Sequence, residues 1–248
     1  MAGCRCFPVP PAKGTPLPTI EPTSISYGGL LTRLEILVNL VADRRGLALD
    51  PYGRLAPAEQ RLLAQVLDLD QTPGPPSRDL AAVELLRGLA EAVGLLRDRG
   101  ARVEATTLRH PWAQLDPKLR AGLVYAAWCH RVPWPVFLRD APGIDALVGA
   151  RLWVLRLLLG LPAGVEVGLQ GLVETVANGL ELDLDDWLPR ALAAAFLDPL
   201  VALGVADIRP PPPHPGSALR LGPRASTVIG SALVAAGEEV SLSSTPSN

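Results

Sequence analysis

The stretch of the sequence that most restricts the fold runs from Asp185 to Ala236. An apolar segment begins at Trp187 and ends at Gly204, a residue suited to the left-handed conformation that closes many helices. A short strand, a proline-rich excursion, a second strand and a closing apolar helix follow. Pro199 lies inside the apolar segment and should kink or break the helix. The pattern therefore predicts a helix that leads straight into a two-stranded hairpin with a projecting, proline-rich tip.

Composition favours helices that pack through aliphatic side chains. Of the 248 residues, 48% are hydrophobic and only 4% are aromatic, and this length is enough to bury the core of one large domain or two small ones. Charged residues make up 19%, below the roughly 25% of an average domain, so disorder throughout the chain is excluded. We expect a mainly α protein with short β-hairpins.

The remaining elements form two similar sets on either side of a seam at Val132–Gly143. The first half predicts helices at 30–43, 56–67, 80–98 and 117–131, a type I turn at 50–53 and a strand at 102–108. The last of these helices is expected to start with Asp116 as its cap and Pro117 at its first position. The second half predicts a helix at 145–159, a strand at 165–169 and a helix at 170–177, followed by the opening stretch. The second set reads helix, strand, helix, helix, strand, wing, strand, helix, and the first has the same ingredients less clearly.

A helix that runs into a hairpin is how the second half of a winged-helix module is built, so the sequence predicts tandem winged-helix-like modules. We place them at 26–135 and 144–236. A proline-rich arm at 1–25 and a tail at 237–248 lack an apolar period, and both are expected to be disordered.

Two segments carry a recurring set of glycine, tryptophan and leucine positions. The first segment includes Gly94-Leu95-Leu96-Arg97, Thr107, Arg109, Trp112, Leu115 and Trp128. The second segment is 196–230, which contains the predicted helix and hairpin. With these residues the chain resembles bacterial proteins that carry the winged-helix domain associated with XPB-type helicases. It departs from their pattern at Gly222 and Ala225, where the family favours Thr and Gly. The resemblance implies a nucleic-acid-associated module, and because no GxxxxGK[ST] motif occurs, no helicase motor chemistry.

Positive charge is concentrated in the first half. Residues 1–143 hold 17 Lys and Arg against 14 Asp and Glu, whereas residues 144–248 hold 6 against 11. A module with a net charge of −5 is poorly suited to collecting phosphate contacts, so packing, protein contact or homodimerisation is the better prediction for the second half. The residues predicted to contact nucleic acid are Arg97, Arg99, Arg102, Arg109, Lys118 and Arg120. The alternative is that these side chains form a solvated surface without a ligand.

Metal and catalytic sites are not predicted. Cys4 and Cys6 with Cys129 and His130 have the wrong spacing for a zinc knuckle, and Cys129 is better explained as a small buried hydrophobic residue. No nucleophile elbow, HExxH or glycine-rich phosphate loop occurs, so we predict neither an enzyme nor a cofactor. Three cysteines, no secretory signal and no apolar stretch long enough for a bilayer predict a cytoplasmic protein without a membrane partner.

The function that these patterns favour is that of a non-catalytic, nucleic-acid-associated accessory or regulatory protein. Its partner would be DNA, bound through the arginines of the first half. An interaction scaffold, in which degenerate winged helices serve protein contact, is the alternative. Loss of DNA retention with added salt distinguishes the two hypotheses, because only the first requires phosphate contacts.

Overall fold

A computed structural model describes residues 29–67, 76–134, 144–183, 187–210 and 216–237, with the backbone alone described at 76–81. The predicted arm at 1–25, most of the seam, the hairpin tip and nearly all of the tail lie outside the described residues. The described chain is mostly helical and contains two small antiparallel sheets of three strands each. The prediction of a mainly α protein with short β-hairpins is therefore confirmed.

Within its described residues the first half contains five helices and three strands. They are α1 (Leu30–Asp43), β1 (Leu47–Ala48), α2 (Pro57–Val66), α3 (Pro76–Val93), β2 (Leu96–Asp98), β3 (Arg102–Ala105), α4 (Arg109–Gln114) and α5 (Pro117–His130).

The second half begins with two helices and ends on a hairpin and a helix. Its elements are α6 (Ile144–Gly149), α7 (Arg151–Leu159), β4 (Glu166–Gly168), α8 (Leu169–Leu180), α9 (Trp187–Leu192), a π-helical turn (Ala193–Leu197), α10 (Asp198–Ala202), β5 (Ala206–Arg209), β6 (Ala218–Leu221) and α11 (Ala225–Ala235).

Several predicted turns and caps are present as expected. The amide of Gly53 donates to the carbonyl oxygen of Asp50 over 3.0 Å, which closes the predicted turn between β1 and α2. Asp116 caps α5 by accepting from the amide of Lys118 over 2.7 Å, and Pro117 occupies the first turn. Gly204 adopts a φ of 68°, the left-handed value predicted for the end of the long apolar segment.

Two predicted helix boundaries were wrong. The third helix was expected to reach Asp98, but it ends at Val93 because Gly94 turns the backbone into the left-handed region at a φ of 89°. The apolar Leu96 continues the helical spacing, yet it begins strand β2. The helix predicted at 145–159 is divided into α6 and α7, since Ala150 leaves helical geometry at φ −90° and ψ 3°.

The two halves share one order of elements and one order of strands. A helix, a strand, two helices and two strands follow one another in each, as α1 to β3 and as α7 to β6, when α9, the π-helical turn and α10 are counted as one continuous helix. The third strand of each set is central, so the sheets read β1-β3-β2 and β4-β6-β5, and every neighbouring pair is antiparallel. Leu47 pairs with Val103 in the first sheet and Val167 with Leu219 in the second. The hairpin predicted after Gly204 is confirmed.

Pro199 distorts its helix without ending it. A proline has no amide hydrogen to donate to the carbonyl four residues before it, which here is that of Ala195. The chain widens into the π-helical turn before the proline and continues as α10. Two side chains of α5 approach the same turn: the indole of Trp128 donates to the Ala195 carbonyl over 2.6 Å, and the hydroxyl of Tyr125 donates to that of Phe196 over 3.2 Å. The first half therefore binds the distorted backbone of the second.

The helices α5 and α11 form the main contact between the halves. Gly122 lies at the crossing, where a Cβ atom on it would come within 2.9 Å of Ser231 Cβ. Near the end of α5 a ring nitrogen of His130 is 2.7 Å from the carbonyl oxygen of Ala232. Cys129 is fully buried in the same helix, as predicted for a small hydrophobic residue.

Burial of Tyr125 and Cys129 predicts a loss of stability at alkaline pH. Desolvation raises the pKa of the Cys129 thiol from 9.0 to about 12, against a weaker opposing effect of Arg151, and raises the pKa of Tyr125 well above 10. The unfolded chain ionises first, so stability is fully present below pH 9 and is lost between pH 9 and about 12. Each of the two groups lowers the free energy of unfolding by at most about 1.4 kcal/mol per pH unit.

Urea unfolding across this range at constant ionic strength checks the expectation, with Cys129→Ala as the control. Between pH 9 and 11 the variant should lose stability less steeply than the natural chain, since it lacks one of the two groups. Equal slopes for the two proteins would contradict the buried thiol as a cause.

Candidate nucleic-acid interface

The end of α1 fixes the position of the first sheet. Arg45 and Gly46 both have positive φ, at 55° and 104°, and the Gly46 amide donates to the Val41 carbonyl over 2.8 Å. A Cβ on Gly46 would come within 3.0 Å of the Val103 carbonyl oxygen in β3. Glycine is thus needed both for the left-handed turn and for the close approach of the sheet. As a result, the end of α1 lies directly against the side chains of β3.

Five arginines lie at this junction, and we call them the basic face: Arg45, Arg97, Arg99, Arg102 and Arg109. Glu104 Oε2 lies 3.6 Å from a guanidinium nitrogen of Arg97 and 3.8 Å from one of Arg99. Arg102 donates to the Gly46 carbonyl over 2.7 Å. Because both distances from Glu104 are long and the groups are half exposed, these ion pairs hold the arginines only weakly.

A cleft of about 320 Å³ opens in the basic face between the end of α1, β3 and the start of α4. Arg45, Arg109 and His110 line it, and Glu104 is the only carboxylate in its wall within the described part of the chain. The cleft therefore carries an excess of positive charge in a concave surface, where the field of the arginines is concentrated.

Thr106 positions α4 and with it Arg109. Its hydroxyl donates to the Gly94 carbonyl over 2.7 Å and accepts from the Leu108 amide over 3.2 Å. This local network joins the end of α3 to the start of α4. Arg109, the first residue of α4, has no ion-pair partner among the described residues and reaches both the cleft and a second cavity behind it.

The second cavity, of about 160 Å³, lies between α1, α4 and α5, and we call it the inner cavity. Its polar lining consists of Glu35, Asn39, Arg109, Trp112 and Arg120. Arg120 forms an ion pair with Glu35 through Nη1, while its Nε is buried without a hydrogen-bond partner. The indole nitrogen of Trp112, a side chain only 7% exposed, is likewise buried and unpartnered.

The structure brings most of the predicted contact residues together but not all of them. Arg97, Arg99, Arg102 and Arg109 belong to the basic face, and Arg120 meets Arg109 at the inner cavity. Lys118 is exposed in the first turn of α5 and lines neither the cleft nor the inner cavity. Sequence reasoning missed Arg45, although the Arg-Gly pair that ends α1 is a recognisable left-handed stop.

The described side chains of α3 offer little to a nucleic acid. Arg87 is the only cation on α3 from Ala82 to Val93, the part whose side chains are described. It forms ion pairs with Glu84 and Glu91, both at 2.9 Å, and only 14% of its side chain is exposed. Glu84 also accepts from the Leu55 amide over 2.8 Å, so this network joins α3 to the preceding turn.

The second half is as poor in available cations as its composition predicts. Arg209 on β5 pairs with Asp207 at 2.8 Å. Within the described ranges no group of three or more His, Cys, Asp and Glu side chains is arranged to hold a metal ion. Cys4 and Cys6, considered above as ligands, lie outside those ranges. Nor does any helix of the described chain combine the length and apolarity needed to cross a membrane.

Neither a family model, nor a curated protein, nor a solved structure matches this chain. The likeness to the helicase-associated winged-helix family therefore stays a prediction that rests on the residues quoted above.

An apolar groove of about 340 Å³ lies on another side of the first half, between α3, α4, α5 and the end of α11. Leu108 and Leu123 line it and are 53% and 40% exposed. Arg131 closes one edge, where its guanidinium donates to the Ala92 carbonyl over 2.8 Å. This surface is distinct in chemistry from the basic face, because it offers apolar contact area and few charges.

Proposed function

We propose that the protein is a non-catalytic, nucleic-acid-associated accessory or regulatory protein that binds the phosphate backbone of DNA through its basic face. The observation that carries the proposal is the grouping of five arginines where the end of α1 meets the first sheet and α4, with Glu104 pairing weakly with two of them. Guanidinium groups suit phosphates because they present several N–H donors in one plane and stay charged at any physiological pH.

We further propose that the two halves are winged-helix modules. The supporting observations are their shared order of helix, strand, helix, helix, strand, strand and the central place of the third strand in both sheets. In such modules the third helix ordinarily reads the major groove. The ion-paired Arg87 on α3 and the exposed arginines on β2, β3 and the end of α1 favour backbone contact by the hairpin side instead.

The salt dependence of DNA retention tests the basic face. Each phosphate contact contributes about 0.9 to the slope of log K against log salt. Replacing Arg99 and Arg102 with Gln should reduce the steepness by about 1.8 and weaken binding to duplexes of any sequence to a similar extent. Fluorescence anisotropy with two unrelated duplexes at a series of salt concentrations measures both quantities.

The matched control replaces Arg190 and Arg209 with Gln, which removes the same charge from the second half. It should keep the slope of the natural chain, because neither residue belongs to the basic face. If the salt slope and the DNA affinity fall by the same amount in both double variants, binding follows net charge and the basic face is not the site. A natural chain that shows no salt-dependent retention refutes the proposal altogether.

The apolar groove supports a second candidate, an interaction scaffold built on the same modules. Exposed leucines at 108 and 123 beside buried Trp112 resemble the apolar centre of a protein interface more than a solvated surface. Under this hypothesis the chain would show no salt-dependent DNA retention, and binding of its partner would be lost when Leu123 is replaced with Glu.

A further inference from the structure

The inner cavity has a lining that the proposed backbone contact does not require. In the described chain, four buried side-chain nitrogen or oxygen atoms have no hydrogen-bond partner, and two of them, Trp112 Nε1 and Arg120 Nε, belong to residues that line it. Buried polar groups are nearly always satisfied, by protein, by water or by a ligand. No hydrogen-bond acceptor of the described protein meets either nitrogen, so an acceptor from water or from a bound ligand is expected beside this cavity.

The donors in this cavity are of one kind. Trp112 Nε1 and Arg120 Nε can only donate, and the guanidinium of Arg109 adds a further set of donors without a carboxylate partner among the described residues. The side chain of Asn39, which has no hydrogen bond to a described residue, contributes an amide that can donate as well. Glu35 is the only acidic group in the lining, and Arg120 Nη1 already pairs with it.

Charge and size both suit a small oxyanion. Arg109 and Arg120 against Glu35 leave an excess of one positive charge in the lining. A cavity of 160 Å³ has room for several water molecules, or for one tetrahedral ion of similar extent. A neutral ligand would leave that charge uncompensated, and a cation would be repelled by it and would find acceptors only on Glu35 and on the Asn39 amide oxygen.

We propose that the inner cavity is a phosphate-binding site in which Arg109, Trp112 Nε1 and Arg120 Nε donate to the oxygens of one phosphate group. Arg109 also lines the cleft of the basic face, so the site opens beside the surface proposed to contact DNA. The phosphate belongs either to a nucleic-acid backbone or to a free phosphate or phosphomonoester. Only the first of these sources rests on the proposed function.

Titration of the full chain with inorganic phosphate tests the site, with the Trp112 indole N–H resonance as the readout and ionic strength held constant with chloride. The resonance, assigned by its loss in Trp112→Phe, should shift and saturate. Arg109→Gln should weaken the phosphate affinity by tenfold or more, which corresponds to the loss of about 1.4 kcal/mol, whereas Lys118→Gln, outside the cavity, should leave it unchanged.

A second measurement guards against a variant that folds poorly. Phosphate should raise the melting temperature of the natural chain above that in matched chloride, because it binds only the folded state, and Trp112→Phe should reduce this increase. No saturable shift up to roughly 100 mM phosphate, a hundredfold above a millimolar Kd, overturns the proposal. A response to phosphate that is unchanged in Arg109→Gln overturns it as well.

A short DNA duplex in place of phosphate separates the two sources. If the duplex shifts the same indole resonance and inorganic phosphate competes with it, the backbone supplies the phosphate. If only inorganic phosphate shifts it, the source is a free phosphate or a phosphomonoester. Since Arg99→Gln/Arg102→Gln should lower DNA retention without altering the response to phosphate, failure of the proposed function and failure of this site are distinguishable.

Discussion

Replacement of Trp128 with Ala should cost about 3–5 kcal/mol of the free energy of unfolding, the range found when large aromatic residues are removed from cores. The side chain is 5% exposed, and its ring centroid lies 6.3 Å from that of Trp134. Trp134 in turn makes an edge contact with Phe196 at 5.1 Å. Truncation would therefore open a cavity among the rings that join the first half to the π-helical turn. A typical domain is stable by only 5–15 kcal/mol, so the loss is a large part of the total.

The effect has two physical parts, which a second substitution separates. Trp128→Phe keeps most of the ring volume but removes the N–H group that donates to the Ala195 carbonyl over 2.6 Å. That carbonyl is the one Pro199 cannot reach, so the substitution should leave it with one donor fewer, at about 1–3 kcal/mol. The remainder of the loss in Trp128→Ala then measures packing.

A double-mutant cycle with Pro199→Ala tests this assignment. An alanine at 199 supplies the amide hydrogen that the proline lacks, so the Ala195 carbonyl gains a donor within its own helix. Trp128→Phe should then cost about 1 kcal/mol less in the Pro199→Ala background than in the natural chain. Urea unfolding of the four proteins gives the coupling energy. Additive effects would mean that the indole hydrogen bond and the proline are unrelated.

Local signals in the sequence were sufficient to predict the structure where a single residue determines the backbone conformation. Gly204 was predicted to end its helix in the left-handed region, and Asp116 with Pro117 to begin α5. Both positions depend on the conformations that one residue type allows, and no distant contact can easily override them. Gly94 belongs to the same class, but it was read as part of a helix because Leu95 and Leu96 continue the apolar spacing.

Which residues meet in the candidate site depends instead on contacts between distant parts of the chain. Arg120 was predicted to contact nucleic acid, yet its guanidinium pairs with Glu35, 85 residues earlier in the chain. Glu104 on β3 lies 3.6 Å from Arg97 and 3.8 Å from Arg99, contacts that depend on the pairing of β2 with β3. No period or motif records which helix lies against which strand, so the inner cavity and its unpartnered donors were not predictable from the sequence.

The crossing of α5 and α11 leads to the second large expected effect. Gly122 is buried in the middle of α5, and a side chain there would clash with Ser231 Oγ and also come within 2.9 Å of Ser231 Cβ, which a change of rotamer cannot move away. Gly122→Leu should therefore push α11 away or force strained rotamers, at a cost of about 3 kcal/mol despite the higher helix propensity of leucine. Gly171→Leu is the matched control, because Gly171 is an exposed helical glycine with no atom within 4 Å of its added Cβ.

Gly122→Ala combined with Ser231→Gly tests whether the close approach itself is the cause. The single substitution at 122 places a methyl group against Ser231, and removing the serine side chain returns the space, so the pair should be more stable than the sum of the two single effects. Gly171→Leu should be neutral or gain up to about 1 kcal/mol from helix propensity alone. If Gly122→Leu behaves like Gly171→Leu in thermal and urea unfolding, α5 and α11 do not pack at this distance, and the main contact between the halves must lie elsewhere.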